Sequence, residues 1–287
     1  MSRHVAMLRV GPIAFRVGSA WKGPTDALRR LYAGYPVPAV PDFTVRLEPQ
    51  KRWRRWIAPS VAIRGDYQFV GAAPLSLAHG LLAAEMGMNL QMALGLRRYL
   101  LLHASAVERD GRAVIMTGHS GAGKSTLAAL LSERGWRFLG DEFVLVDLVT
   151  GQLRPFPRAV SLKNEAAAVM RAEGAGDRLL FSLDDTPKGR ITYLRPDDAA
   201  IARMDETARP ALILFPRFGD AQAVRLVGPA EVFVRLTQAS TNYVTLGEPG
   251  FDALSALVRD LPARAIDYPD GDSAVALVER LWAELAR

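Results

Sequence analysis

One short stretch constrains the fold of this chain more than any other: Gly118-His119-Ser120-Gly121-Ala122-Gly123-Lys124, followed by Ser125 and Thr126. A glycine, four residues, a second glycine, a lysine and a hydroxyl residue form the spacing of a phosphate-binding loop. Its context agrees. The apolar run AVIMT precedes it as a strand would, and STLAALLSERG follows it with helical spacing. Glycines permit backbone angles that side chains resist, so successive N–H groups can converge on one concavity. The positive end of the following helix faces the same point. Lys124 adds a charge that reaches the β- and γ-phosphates, and the Ser125 hydroxyl suits Mg²⁺. Residues 118–126 are therefore predicted to cradle a nucleoside triphosphate, with His119 placed to touch phosphate. No base-reading motif separates ATP from GTP.

A phosphate loop needs acidic groups for the metal and for the attacking nucleophile. Two candidates follow in the sequence: the pair Asp141–Glu142, and Asp147 at the end of the apolar run FVLV. With Asp147 as the metal aspartate the chain reads as an ordinary ATPase or GTPase. With the pair, one carboxylate supports Mg²⁺ and the other accepts a hydroxyl proton from an acceptor. Adjacent strand residues point to opposite faces, so the pair is usable only at a bend. Gly140 immediately before it makes a bend the expectation, and the pair is preferred.

Around this centre the chain alternates short strands and helices. Residues 4–17 and 42–48 alternate apolar and polar side chains as half-buried strands do, and residues 24–33 read as a helix opening at Pro24. Prolines exclude helix from Pro36 to Pro41. Residues 74–98 carry apolar side chains at helical spacing, with Met86, Met88 and Met92 expected in the core and Asn89 bridging it. YLLLHASAV reads as one apolar strand, turning at Asp110–Gly111 into AVIMTG. A helix is expected over 124–134, a strand over 143–147 and a closing helix over 273–287. The fold class is α/β: a small basic α+β piece over residues 1–98 and a phosphate-loop catalytic piece over 99–287, packed together without a Gly/Ser-rich linker.

Charge supports the same division. The chain has 36 Lys/Arg against 30 Asp/Glu, a net +6, but residues 1–100 carry 14 against 5 and the remainder 22 against 25. The densest point is Lys51-Arg52-Trp53-Arg54-Arg55-Trp56, which reads either as a solvated edge or as a landing for an acidic partner. No nucleic-acid recognition motif accompanies it. Cysteine is absent, which excludes disulfides, thiolate metal sites and cysteine nucleophiles. No run reaches the length of a membrane span, and MSRHVAMLRV lacks a signal core, so a cytoplasmic protein is the expectation. His4 and His79 have no partners at metal-ligand spacing. Lys188 and Arg190 form a basic turn that could meet phosphate or simply be solvated.

The stretch from His103 to Asp147 resembles the bifunctional HPr kinase/phosphorylases and their relatives. It has a histidine ahead of the loop lysine, a Gly-Lys-Ser loop opening a helix, the segment Arg134-Gly135-Trp136-Arg137, and the acidic pair. GMN at Gly87–Asn89, LLHAS, KGRITYLRP and LFPRF make it similar to the branch called HprK-related kinase A. The resemblance implies an HPr-kinase-like catalytic fold, ATP and Mg²⁺ as cofactors, and Lys124 and Ser125 on phosphate and metal. It implies Asp141 and Glu142 as metal support and proton acceptor, His103 beside them, and Arg217 after ALILFP as a neutralising arginine. The family's usual pair is Asp-Asp, so which of the two acts as base stays open. The Glu-x-Arg-Gly signature of true HPr kinases is missing, and PRAVSLKNEAAAV stands there, with Lys163 and Glu165 as partial substitutes. The resemblance thus extends to a serine kinase, while the missing signature leaves the phosphorylase reaction and HPr as acceptor open. It further implies a protein or peptide acceptor and a PqqD-like peptide chaperone as partner; an oligomer is an option that the family's assembly does not decide, because the front piece does not match theirs. Against this stand two alternatives: a nucleotide-binding ATPase or regulatory scaffold with no acceptor, and a kinase of a small-molecule hydroxyl.

Overall fold

A computed structural model of the chain describes residues 3–68, 71, 73–163, 165–186 and 189–285. It opens with β1 (His4–Val10), β2 (Ile13–Ser19), α1 (Lys22–Leu31), β3 (Phe43–Pro49), β4 (Ser60–Gly65) and β5 (Leu75–Ser76). These strands form a five-stranded sheet in the order β1-β2-β3-β4-β5. The alternation over residues 4–17 resolves into a hairpin, with Gly11 at φ +49 making the turn. On this sheet packs α2 (Gly80–Gly95). The helix is shorter than the 74–98 expected, because Leu75 and Ser76 pair with β4 and a single 3₁₀ turn precedes the helix. Met88 and Met92 are fully buried as expected, but Met86 is 46 % exposed.

The second part contains β6 (Tyr99–Leu102), β7 (Ala104–Arg109), β8 (Arg112–Thr117), α3 (Lys124–Glu133), β9 (Arg137–Gly140) and β10 (Val144–Asp147). There follow β11 (Leu153–Arg154), β12 (Val160–Lys163), α4 (Ala166–Ala172), β13 (Leu179–Thr186), β14 (Gly189–Leu194) and α5 (Asp198–Ala202). The chain closes with β15 (Arg209–Phe218), β16 (Ala223–Leu226), α6 (Pro229–Ala239), α7 (Tyr243–Leu246), α8 (Glu248–Asp260), β17 (Ala263–Tyr268) and α9 (Gly271–Glu284). The mixed α/β class is as expected. YLLLHASAV, however, is not one strand. It breaks at His103, so that β6 joins a small sheet with β10 and β11 while β7 enters the main sheet. The closing helix is capped at its start by the Asp270 side chain, which accepts from the Ser273 N–H. Arg287, its expected end, and Lys188 lie outside the described residues. Arg190 is exposed and paired with Asp184.

The main sheet has the order β16-β17-β15-β8-β7-β9. β17, β15 and β8 are mutually parallel, whereas β7 runs antiparallel to both β8 and β9. The carboxyl ends of β17, β15, β8 and β9 therefore share one edge with the amino end of β7. That edge is where ligands bind in open α/β sheets. One face of the sheet is covered by α3 and α9 around Trp136, and the other by α6 and α8 around Leu236 and Leu254. A third core joins the front sheet to the rest, with Leu101, Leu145, Phe156 and Tyr193 packed among Phe15, Val45 and Met88.

Candidate active site

The glycine-rich loop of residues 118–123 leaves β8 at this edge of the sheet. Gly118, Gly121 and Gly123 adopt φ of +152, +87 and +92, values that side chains resist. Gly123 is also required by space: a Cβ there would stand 2.5 Å from the Tyr268 hydroxyl and 3.3 Å from the Phe218 Cβ. The loop feeds α3, whose Leu127, Leu130 and Leu131 are buried on one face while its first turn opens onto the loop. Lys124 is folded back, its Nζ donating to the carbonyls of Gly118 at 2.8 Å and His119 at 3.0 Å. Burial lowers its pKa, Asp141 and Glu142 oppose that, and Lys163 adds to it.

A cavity of about 420 Å³ opens above the loop. Ser120, Gly121, Gly123, Lys124, Ser125 and Thr126 line it from the loop side. Gly118, His119 and Ala122 shape the loop through their backbone without forming its wall. Across the cavity β12 contributes Ser161 and Lys163, and Lys163 Nζ donates to the Ser120 hydroxyl at 3.1 Å.

Asp141 and Glu142 both line this cavity, as does His103. The bend that brings both carboxylates to one side lies at Glu142, a non-glycine residue at φ +68. Gly140 serves a different purpose than expected: it remains in β9, where a Cβ would meet the Phe156 carbonyl at 2.9 Å. Asp141 is buried, and its Oδ1 accepts from Ser105 at 2.5 Å and from Ser125 at 3.0 Å. Its Oδ2 is buried without a partner. Burial first, and the Glu142 charge second, push its pKa above the ordinary 3.8 against the pull of the two serines. Glu142 is more open, with its Oε2 3.6 Å from His103 Nδ1.

The orphaned Oδ2 of Asp141 and the Ser125 hydroxyl beside it are hard oxygen donors, which fits Mg²⁺. Among the described residues no cluster of three or more histidine and acidic side chains could hold a metal ion. A donor set of one or two carboxylates and a serine, completed by phosphate oxygens and water, is the usual arrangement for that ion.

Two expected residues lie elsewhere. Asp147 ends β10 and accepts from the N–H groups of Val149 and Thr150 and from Arg154, and it is not among the residues that line the cavity. Partial burial pushes its pKa up, but those donors outweigh it and hold the carboxyl below its ordinary value. Arg217 is exposed, tied to Asp267 at 2.9 Å and to Asp220 at 2.9 Å. Strand alternation sends its neighbour Phe218 to the cavity instead. Ser105, Ser161 and Tyr268 were missed by the sequence reading. The signal for Ser105 was available: His103 and Ser105 are polar at alternate positions in an otherwise apolar run.

A family model described as SynChlorMet cassette protein ScmC matches residues 84–211. Among solved structures the chain is similar to the Hpr(Ser) kinase/phosphatase from Coxiella burnetii, at 14 % identity, covering 64 % of this chain and 98 % of that one with a TM-score of 0.28. The comparison with curated proteins returned no match. Among the described residues no helix is long and apolar enough to cross a membrane.

Proposed function

We propose that this protein is an ATP-dependent kinase that transfers the γ-phosphoryl group of Mg-ATP to a serine hydroxyl of a protein or peptide. The observation that supports this most is the division between two adjacent carboxylates on one cavity: Asp141 buried against the Ser125 hydroxyl, Glu142 open and beside His103. An ATPase needs only the first. A kinase needs the second as well, to accept the proton of an incoming alcohol.

In this reading the loop N–H groups and the α3 N-terminus hold the phosphates, and Lys124 leaves the carbonyls of Gly118 and His119 to meet them. Lys163, already on Ser120, is a second cation at the same loop. Ser125 and Asp141 would hold Mg²⁺, which neutralises phosphate charge when bound. Glu142 takes the acceptor proton, and His103 orients Glu142. The acceptor oxygen forms its bond to Pγ while the bond from Pγ to the β,γ-bridging oxygen breaks and ADP departs. Arg217 could join only by leaving Asp267 and Asp220, so the two lysines carry the neutralisation. A regulatory ATPase built on Asp147 would require that carboxylate to leave its turn.

The test is incubation with Mg-γ-labelled ATP and with the peptides and proteins encoded beside the gene, including any PqqD-like chaperone, followed by mass spectrometry for phosphoserine. Glu142→Gln is expected to bind Mg-ATP but transfer nothing, and Asp147→Asn is expected to transfer normally. Loss of activity in Asp147→Asn with retention in Glu142→Gln would reverse the assignment in favour of the ATPase.

A further inference from the structure

The connection between β3 and β4 runs from Gln50 to Pro59 and carries Lys51, Arg52, Arg54 and Arg55 with no acid among them, and none follows before Asp66. It contains a single 3₁₀ turn, Arg52–Arg55. The Arg54 N–H donates to the Lys51 carbonyl at 2.9 Å, and the Trp56 and Ile57 N–H groups donate to the Trp53 carbonyl at 3.1 and 3.2 Å. Two arginines fix this turn in place. Arg55 donates to the Ala20 carbonyl at 3.1 Å, and its own carbonyl accepts from the Trp21 indole at 2.9 Å. Arg54 donates to the Ala58 carbonyl at 3.1 Å. Ala58 takes φ +43, a left-handed conformation that an alanine adopts only at a cost. The turn is thus a held shape and not slack chain.

Its outer side chains are apolar and cationic together. Trp53, Trp56 and Ile57 are 47, 73 and 66 % exposed. Scattered exposed apolar side chains are ordinary, but three within five residues of one strained turn form a patch. Arg54 lies over the Trp53 ring at 4.5 Å from its centroid, and Arg55 over Trp56 at 5.6 Å. Among the described residues none of the four cations has an ion-pair partner, and Glu48, the acid nearest in sequence, is paired with Arg46 at 3.6 Å.

An occupant has to neutralise these cations and also take two indoles and an isoleucine out of water. A single-stranded nucleic acid stacks its bases on aromatic faces, but each indole here already carries an arginine on one face. An acidic peptide answers the charges and offers Trp56 and Ile57 no apolar counterpart. An anionic lipid leaflet answers both. Its phosphates meet the cations, and its headgroup–acyl boundary is where tryptophan is favoured.

We propose that the turn between β3 and β4 docks this protein on an anionic lipid surface, with Trp56 and Ile57 at the headgroup–acyl boundary and Lys51 and Arg52 on lipid phosphates. The contact is peripheral and reversible, as a short apolar tip ringed by a few cations provides, and it stands apart from the kinase reading.

The full chain is mixed with vesicles of phosphatidylcholine containing about one-third phosphatidylglycerol, and with vesicles of phosphatidylcholine alone, and binding is read by co-sedimentation. Binding to the anionic vesicles is expected to exceed binding to the neutral ones at least about tenfold, and to weaken as NaCl rises from about 0.1 M to 1 M. Anionic vesicles whose lipids are brominated on the acyl chains are expected to quench the tryptophan fluorescence. The side chains of Lys51 and Arg52 bond to nothing else among the described residues, so Lys51→Gln and Arg52→Gln are expected to keep the wild-type midpoint in urea. Each should weaken vesicle binding about fivefold, or about 1 kcal/mol. Trp56→Ala combined with Ile57→Ser should weaken it at least about tenfold and remove most of the quenching. Equal binding to both vesicles, affinity unchanged in Lys51→Gln and Arg52→Gln, or sedimentation with anionic vesicles without quenching would overturn the proposal. No sedimentation with anionic vesicles would overturn it too, and retention on polyglutamate beads in that case would assign the turn to an acidic polypeptide.

Discussion

Replacing Asp141 by Asn is expected to remove transfer and to make the protein more stable. The carboxylate is 3 % exposed, one oxygen has no partner, and Glu142 stands next to it. An ionised carboxylate out of water costs several kcal/mol even after relaxation. Asn keeps the shape and still accepts from Ser105 and Ser125, but those bonds change from charge-assisted to neutral, a loss of about 1 kcal/mol each. The difference favours the variant by about 1–2 kcal/mol at pH 7, with a melting temperature about 2–8 °C higher for a chain of this size. The pH dependence is the sharper test. Because the folded-state pKa is raised above the ordinary 3.8, the folded protein holds this proton more tightly than the unfolded chain does. The penalty is absent below that value, grows as pH rises above it, and is complete once the folded carboxyl has ionised. Urea unfolding of both proteins from pH 4 to pH 8 should therefore show the gap widening with pH. A variant less stable than wild type at pH 7, or a gap that does not change with pH, would refute this reasoning.

Glu142→Gln should lower kcat by about 10²–10⁴-fold, the usual contribution of a positioned base, with Mg-ATP affinity by calorimetry within about twofold. Gly123→Ala forces a side chain into a φ of +92 and against Tyr268; it should cost about 1–3 kcal/mol in urea unfolding and abolish nucleotide binding. Arg158→Met leaves Glu85 buried without its cation and should destabilise by about 3–5 kcal/mol, while the double variant with Glu85→Met recovers most of that loss, again read by urea unfolding.

How much of this was legible in the sequence follows from how local each feature is. The glycine-rich turn after β8 could be read because its backbone demands glycine at fixed positions, and Gly121 and Gly123 adopt positive φ. The acidic pair was legible as a pair, but the device that brings both side chains to one side is the positive φ of Glu142, which residue type does not announce. The break at His103 was hidden because YLLLHASAV is apolar on both sides of it; only the competition of two sheets for the same run decides where it divides. Arg217 and Phe218 differ by one residue, and which of them faces the cavity depends on the sheet register and not on the local sequence. The buried cluster of Glu85, Asn89, Arg158 and Tyr193 was the least legible part. Its members come from α2, β14 and the loop before β12, and no spacing connects them.

That cluster also bears on what the front sheet contributes. Glu85 on α2 grips Arg158, which begins the run into β12, and β12 presents Lys163 to Ser120 of the glycine-rich loop. Mechanical continuity therefore runs from the front helix to the larger cavity through one buried ion pair and one short strand. The apolar contacts point the same way, since Leu101, Leu145, Phe156 and Tyr193 find their burial among side chains of the front sheet and α2. A fragment that begins at residue 99 would expose those four side chains and leave Arg158 without its carboxylate. It is expected to lack a cooperative thermal transition and to bind Mg-ATP much more weakly than the full chain, by calorimetry on both. If the fragment instead melts cooperatively and binds Mg-ATP with the full chain's affinity, then the ion pair and the shared core are incidental to the site.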